Sequence, residues 1–206
     1  MKTLYCATGN PGKLREFRLA ADEAPFDLDL LPNYSLLPPA VEDGATFEEN
    51  AVKKALHYAP HADGLLFADD SGLQVDALGG APGVYSARFS GAGATDRSNN
   101  QLLLEKLRGV AGRAARFVCA IALVDRERVL GVYRGSVEGA ILEELRGSGG
   151  FGYDPLFYCP AFGCTFGEAT GAQKLALSHR GQAFRAMVQG LIDGKLIDTK
   201  LIDGKR

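Results

Sequence analysis

Apolar positions along the chain switch between a period of two and a period near 3.6, and each switch marks a change of element. Thr3–Ala7 is a short apolar run that reads as a buried strand. Leu14, Phe17 and Leu19/Ala20–Ala21 then recur at helical spacing. Phe26–Leu31 alternates apolar and acidic residues and predicts a second strand, and the Pro-rich stretch 32–43 predicts irregular backbone. Thr46-Phe-Glu-Glu49 reads as a capping box that opens a helix to about Ala59. Leu65–Ala68 is a short apolar strand expected to end at Asp69-Asp70-Ser71-Gly72, with Leu73–Val75 a brief continuation. Asp96–Leu107 predicts a helix with Leu102, Leu103 and Leu107 inward. Arg116–Asp125 and Val129–Arg134 predict a hairpin about Arg126-Glu127, followed by separate strands at Val137–Ile141 and Leu156–Tyr158. Ser178 is placed to cap a last helix whose inner face is Ala183, Phe184, Met187, Val188 and Leu191.

Helices and strands interleave early and a hairpin comes late, which predicts an α/β fold with a mixed sheet. No linker interrupts the 206 residues, so any second lobe grows from the same sheet. The end of the chain repeats Leu-Ile-Asp-Gly/Thr-Lys, a period of five that keeps no single helical face apolar. This tail, 191–206, is read as a helix end or a partner contact without a catalytic role.

Composition narrows the function. The 23 Lys+Arg nearly balance the 25 Asp+Glu, which disfavours a protein that coats nucleic acid. The longest apolar run, Phe117–Val124, is too short to cross a bilayer, and the N-terminus lacks a signal-peptide pattern. Four cysteines without a C-x-x-C pair suit a reducing cytoplasm and read as small buried hydrophobes.

Four segments carry candidate chemistry. In Thr8-Gly9-Asn10-Pro11-Gly12-Lys13 the two glycines allow close backbone approach, and free N–H groups, the helix dipole and Lys13 attract phosphate. The alternative is a plain strand-to-helix turn; the Walker spacing is absent. In Asp69-Asp70 consecutive carboxylates face opposite sides, so one faces a cleft and the other braces the turn. A cleft carboxylate beside phosphates calls for Mg²⁺. Glu42 is read either as completing that metal site or as exposed loop, and Lys54 either as a phosphate ligand or as solvated. Glu49 and Lys53 are spaced to pair on the helix surface, and His57 and His61 read as surface or rim residues. In Gly149-Gly-Phe-Gly-Tyr-Asp154, Phe151 or Tyr153 can stack on a base and Asp154 can accept from a ring N–H; the competing reading is a packed aromatic loop. Lastly, His179 and Arg180 oppose the dipole of the final helix, so a ligand or an acidic partner must compensate them. The Arg180 fork suits a purine O6 or a phosphate.

These segments, with E-D-G-A-T-F-E-E-N-A-V-K-K-A and K-L-A-L-S-H-R-G-Q-A, resemble the inosine triphosphate pyrophosphatase family from residue 3 to about 190. The resemblance implies hydrolysis of ITP, dITP or XTP to the monophosphate and pyrophosphate, a Mg²⁺ cofactor, a homodimer and a two-lobed α/β fold with the site in the cleft. It implies that Thr8–Lys13 and Lys54 hold phosphates, and that Glu42 and Asp70 share the metal. Asp70 would also accept the proton, and Ser71 would touch substrate. Phe151, Gly152, Tyr153, Asp154, Lys174, His179 and Arg180 would hold the base. One departure is Ala172-Gln173, where similar proteins often carry acidic residues, so no local carboxylate is at hand for Lys174. The rivals are a pyrophosphatase for dTTP and UTP and a module that binds nucleotide without hydrolysing it.

Overall fold

The computed structural model describes residues 3–22, 24–194 and 196. β1 (Thr3–Cys6) leads into α1 (Pro11–Ala20), and β2 (Asp27–Leu30) follows. α2 (Phe47–Tyr58), β3 (Leu65–Val75) and α3 (Asp96–Lys106) come next. β4 (Ala114–Asp125) and β5 (Arg128–Ile141) form the hairpin, with Arg126 in the left-handed region at φ 54°. β6 (Phe157–Cys159), β7 (Cys164–Thr165), α4 (Gly171–Leu177) and α5 (His179–Asp193) complete the described chain. The seven strands form one open sheet in the order β2-β1-β3-β4-β5-β6-β7. β1 is parallel to both of its neighbours and every other pairing is antiparallel, so the sheet is mixed as expected.

Strand parity sorts the core. Leu4, Cys6, Phe67, Cys119, Ile121 and Leu123 face Phe17 of α1 and Ala183, Phe184, Met187 and Leu191 of α5. On the other face Leu66, Ala68, Val118, Ala120, Ala122 and Val124 meet Phe47, Ala51, Ala55 and Tyr58 of α2. The alanines on both elements allow α2 to lie close to the sheet. Further along the same strands, Leu73, Val75, Ala115, Phe117, Val137 and Ile141 pack on Leu103 and Leu107 with Tyr153, Leu156, Phe157 and Phe166. β3 and β4 therefore contribute buried core at both of their ends, and β5 adds the partly buried Leu130 and Tyr133 to the cluster under α1 and α5.

Several expectations change. β3 does not end at Asp69: it runs to Val75, registered against β4 from Leu65↔Asp125 to Val75↔Ala115. The two strands expected at 129–134 and 137–141 are one strand, β5. α1 starts at Pro11, its first-turn N–H groups of Gly12 and Lys13 capped by the Asn10 side chain. α2 is capped by Thr46 as expected, but the Glu49 carboxylate reaches the Ala45 N–H at 2.7 Å rather than that of Thr46. Lys53 pairs with Asp43, not Glu49. α4 is a helix the apolar pattern does not announce; Thr170 and Gln173 form its capping box. All four cysteines are free and three are buried, Cys164 being half-buried. Within the tail, Leu191–Asp193 close α5, and 195 and 197–206 lie outside the described residues. Among the described residues no helix is long and apolar enough to cross a membrane.

Candidate active site

The pleat of β3 sends adjacent carboxylates to opposite faces of the sheet. Asp69 turns toward α1 and α5, where its Oδ2 lies 2.9 Å from Lys13 Nζ and 3.9 Å from Arg180 Nε. Ser71, of the same parity, donates to Asp69 Oδ2 at 3.2 Å and accepts from Arg180 Nη2 at 3.0 Å. Burial alone would raise the Asp69 pKa; Lys13, Arg180 and Lys54 together hold it below the usual carboxylate range. Asp70 turns toward α2. Its Oδ2 accepts from Asn50 Nδ2 at 2.9 Å and its Oδ1 from the Ser71 N–H at 2.9 Å. Burial, with Glu42 and Asp69, raises its pKa against the pull of Lys13 and Asn50. Lys54, one helical turn after Asn50, sits 3.0 Å from Glu42 Oε1. Its burial disfavours the charge, but Asp69, Glu42 and Asp70 outweigh that and raise its pKa.

The other end is built on the glycine-rich loop. Gly150 (φ +74°) and Gly152 (φ +62°) occupy the left-handed region and turn the backbone around Phe151. The Phe151 N–H donates to Asp154 Oδ2 at 2.9 Å, and Lys174 reaches the same oxygen at 2.7 Å. α3 holds the loop from behind: Asp96 accepts from the Gly152 N–H at 2.7 Å and Asn100 donates to its carbonyl at 2.8 Å. Tyr153 is buried and donates its hydroxyl to the Ser86 carbonyl, which leaves Phe151 as the less buried ring. His179 stacks on Phe117 with centroids 4.9 Å apart and planes 13° from parallel. Burial, then the cations Arg180, Lys174 and Lys13, press its pKa well below the ordinary value, so it is neutral near pH 7. Its Nδ1 has no partner among the described residues.

Both ends open on one cavity of about 610 Å³. Thr8, Gly9, Asn10, Lys13, Glu42, Lys54, Asp70 and Ser71 line one part of it. Phe151, Gly152, Tyr153, Asp154, His179 and Arg180 line another part, and Ser86, Arg88, Asp96, Asn99 and Phe117 are among the remaining lining residues. Pro11, Gly12 and Lys174 are not in the lining, and neither are His57 and His61, which are exposed. The glycines of the first loop have a different reason from the expected one. A Cβ on Gly12 would stand 2.5 Å from the Phe151 ring, and one on Gly9 3.2 Å from Tyr34. Gly12 thus makes room for an aromatic ring rather than for a ligand. Nor are the α1 N–H groups of Gly12 and Lys13 free, because Asn10 occupies them. What this loop offers an anion is Lys13, the Thr8 hydroxyl and the helix dipole.

The model of the Ham1 family matches residues 4–190. A dITP/XTP pyrophosphatase of Thermus thermophilus is 51 % identical over 191 residues, covering 91 % of each chain. One from an Exiguobacterium species is 47 % identical and covers 92 % of this chain and 96 % of the relative. The solved HAM1 protein of Coxiella burnetii superposes with a TM-score of 0.83 at 38 % identity, over 94 % of this chain and all of the other. The chain belongs to the Ham1 family.

In this Ham1 chain several residues of the site escape sequence reasoning: Ser86, Arg88, Asp96 and Asn99 line the cavity, and Glu16 and Asn50 brace its lining residues. Glu16 is the acidic partner that His179-Arg180 called for: it pairs with Arg180 Nη1 and, at 2.7 Å, with Lys174 Nζ. Lys174 lacks local carboxylates but finds distant ones in Glu16 and Asp154. The result is a chain of alternating charge, Lys13–Asp69–Arg180–Glu16–Lys174–Asp154, running along the cavity from its lysine end to its aromatic end, with Lys13, Arg180 and Asp154 in the lining. Asn50 shares a helix face with Lys54 and His57 by its spacing, but its contact with Asp70 leaves no local pattern. As for a metal, no group of three or more His, Cys, Asp or Glu residues that could hold one exists among the described residues. Glu42 and Asp70 line the same cavity, and two carboxylates suit Mg²⁺, which keeps waters and phosphate oxygens as its other ligands.

Proposed function

We propose that this chain hydrolyses non-standard purine nucleoside triphosphates (ITP, dITP and XTP) to the monophosphate and pyrophosphate, with Mg²⁺ held by Glu42 and Asp70. The observation that carries the reading is the split of Asp69 and Asp70 across β3. One carboxylate anchors Lys13 and Arg180 while its neighbour lines a cavity that has lysines at one end and an aromatic clamp at the other. The names of the curated relatives give the substrate class.

Lys13 and Lys54 hold the triphosphate, and the Thr8 hydroxyl adds a donor. A bound Mg²⁺ supplies neutralisation of triphosphate charge and polarisation of the phosphoryl oxygens. Asp70, which lines the cavity beside Lys13 and Lys54, accepts the proton of the water that attacks the α-phosphorus. Lys13 steadies the charge that develops on the departing pyrophosphate. At the other end Phe151 stacks on the base. Arg180 and His179 meet its edge: each terminal nitrogen of Arg180 keeps a second N–H beyond those given to Glu16 and Ser71. A donor aimed at O6 accepts hypoxanthine and xanthine but faces the amino group of adenine, and an unpaired buried donor costs about 1–3 kcal/mol. Free cysteines and a nucleotide-pool substrate fit a cytoplasmic enzyme, and the working unit is taken to be a homodimer.

The test is pyrophosphate release from ITP, XTP, dITP, ATP, GTP and TTP, with and without Mg²⁺, by the wild type and Asp70→Asn. The deaminated purines should be hydrolysed only with Mg²⁺, and the folded variant should lose about 10²–10⁴-fold in kcat. Preference for TTP, or an active Asp70→Asn, overturns the reading.

A further inference from the structure

Asn50 has no solvent exposure, and both ends of its amide are used across elements. Its Oδ1 accepts from the Gly44 N–H at 2.7 Å, on the loop that carries Glu42. That contact sets the flip of the amide, because only the oxygen can accept from an N–H. Nδ2 is thereby left to face Asp70, and donates to its Oδ2 at 2.9 Å. The same bridging recurs one helical turn later. Lys54 pairs with Glu42 Oε1 at 3.0 Å and reaches the Asp69 carbonyl at 3.4 Å. Two residues of α2, four apart, thus tie the same loop to the same strand. Gly44 is fitted to this arrangement: a Cβ there would stand 2.7 Å from Asn50 Oδ1 and 2.8 Å from the Glu49 Cβ.

We infer that Asn50 is a positioning residue that fixes the spacing of Glu42 and Asp70 and so sets the affinity of the site for a divalent cation. This rests on the reading above, in which those two carboxylates hold Mg²⁺. The physical argument concerns reach. Glu42 sits in irregular backbone before α2, with a partly exposed side chain, so its distance from β3 is not set by any strand or helix of its own. Arg88 adds a tie from the far side, donating to the Glu42 carbonyl at 3.2 Å, but this contact is exposed. The tie through Asn50 is fully buried, whereas the one through Lys54 ends on the partly exposed Glu42 carboxylate. A Lys54 side chain alone would hold Glu42 at a site that Asp70 could leave. With Asn50, Asp70 is held on both oxygens, one by the Ser71 N–H and one by the amide, and each oxygen keeps a lone pair for a cation. Asn50 touches neither substrate nor water in this scheme; it acts through Asp70 and Gly44.

The experiment compares wild type with Asn50→Leu, which keeps size but removes both bonds, and with Gly44→Ala, which displaces the amide without altering Asn50 or Asp70. Lys53→Ala, which breaks only the exposed Lys53–Asp43 pair on the same loop, serves as control. Mn²⁺ is titrated into each protein together with an α,β-imido analogue of ITP, and free Mn²⁺ is read by electron paramagnetic resonance. Mn²⁺ affinity should fall about 10–100-fold in Asn50→Leu and fall in Gly44→Ala, while Lys53→Ala matches the wild type. In turnover, the Mg²⁺ concentration for half-maximal rate should rise in parallel, with the KM for ITP at saturating Mg²⁺ little changed. Circular dichroism establishes that each variant is folded; should Asn50→Leu fail to fold, Gly44→Ala carries the comparison. Wild-type Mn²⁺ affinity in a folded Asn50→Leu or, failing that, in Gly44→Ala overturns the inference. So does an equal loss in Lys53→Ala, which would mean that any loosening of the loop suffices. A wild type that binds Mn²⁺ but releases no pyrophosphate from ITP overturns the proposed reaction and leaves the role of Asn50 to be read from the binding data alone.

Discussion

At the scale of single residues, burial decides what each ionisable group can do. His179 shows this most clearly. Its ring is enclosed, stacked on Phe117 and surrounded by Arg180, Lys174 and Lys13, so in the folded protein it stays neutral well below the pH at which an unfolded histidine takes up a proton. Below about pH 6.5 the unfolded chain therefore binds a proton that the folded chain refuses. More protons on the unfolded side means that stability rises with pH there, and is lost as the pH falls from about 6.5 toward the depressed folded value. The slope approaches about 1.4 kcal/mol per pH unit. His179→Phe keeps a ring against Phe117 and cannot titrate. Urea unfolding of the two proteins at pH 6.5 and 5.5 should show the wild type losing stability over this interval by up to that amount more than the variant. Parallel losses would mean that the ring is protonated in the folded state. Asp69 and Asp70 make the same point as neighbours with opposite fates: cations outweigh burial at the first, and burial outweighs cations at the second.

At the scale of elements, the legible features were those with local causes. The strand–loop–helix start, the Thr46 cap, the hairpin at Arg126-Glu127 and the Ser178 cap all follow from residues within a few positions of one another, and all are present. What the sequence did not disclose depends on distant partners. Asp-Asp-Ser-Gly is poor strand material. It stays in β3 because β4 pairs along its whole length and because Lys13 and Arg180 face Asp69 Oδ2 while Asn50 donates to Asp70; Asp69 Oδ1 has no partner among the described residues. Glu16 is separated from Arg180 by 164 positions and Asn50 from Asp70 by 20, so neither pairing leaves a local pattern. Gly12 was legible as important but for another reason, since the Phe151 ring fills the space a side chain would take. Gly12→Ala should improve the helix slightly while expelling that ring. Base stacking is worth about 1–3 kcal/mol, so the KM for ITP should rise about tenfold with little change in melting temperature. An unchanged KM would show that Phe151 does not carry the base.

At the scale of the whole molecule, β3, β4 and β5 run without interruption from the core under α1, α2 and α5 to the core under α3. Melting one end exposes the strand edges and apolar faces on which the other depends, so both ends should unfold together. The chain has no tryptophan, which permits single reporters. Tyr5→Trp in β1 and Phe162→Trp beside Phe166 should give coincident urea midpoints by fluorescence. Separate midpoints would divide the chain into two folding units.

The alternating row from Lys13 to Asp154 constrains how this site can diverge. Its members are enclosed or nearly so, and removing one strands a neighbour of opposite sign where water cannot relieve it. Gradual drift at these six positions is therefore closed off. Lineages that alter one are expected to alter its neighbour as well, and a new base preference would arrive as a paired exchange rather than by single steps.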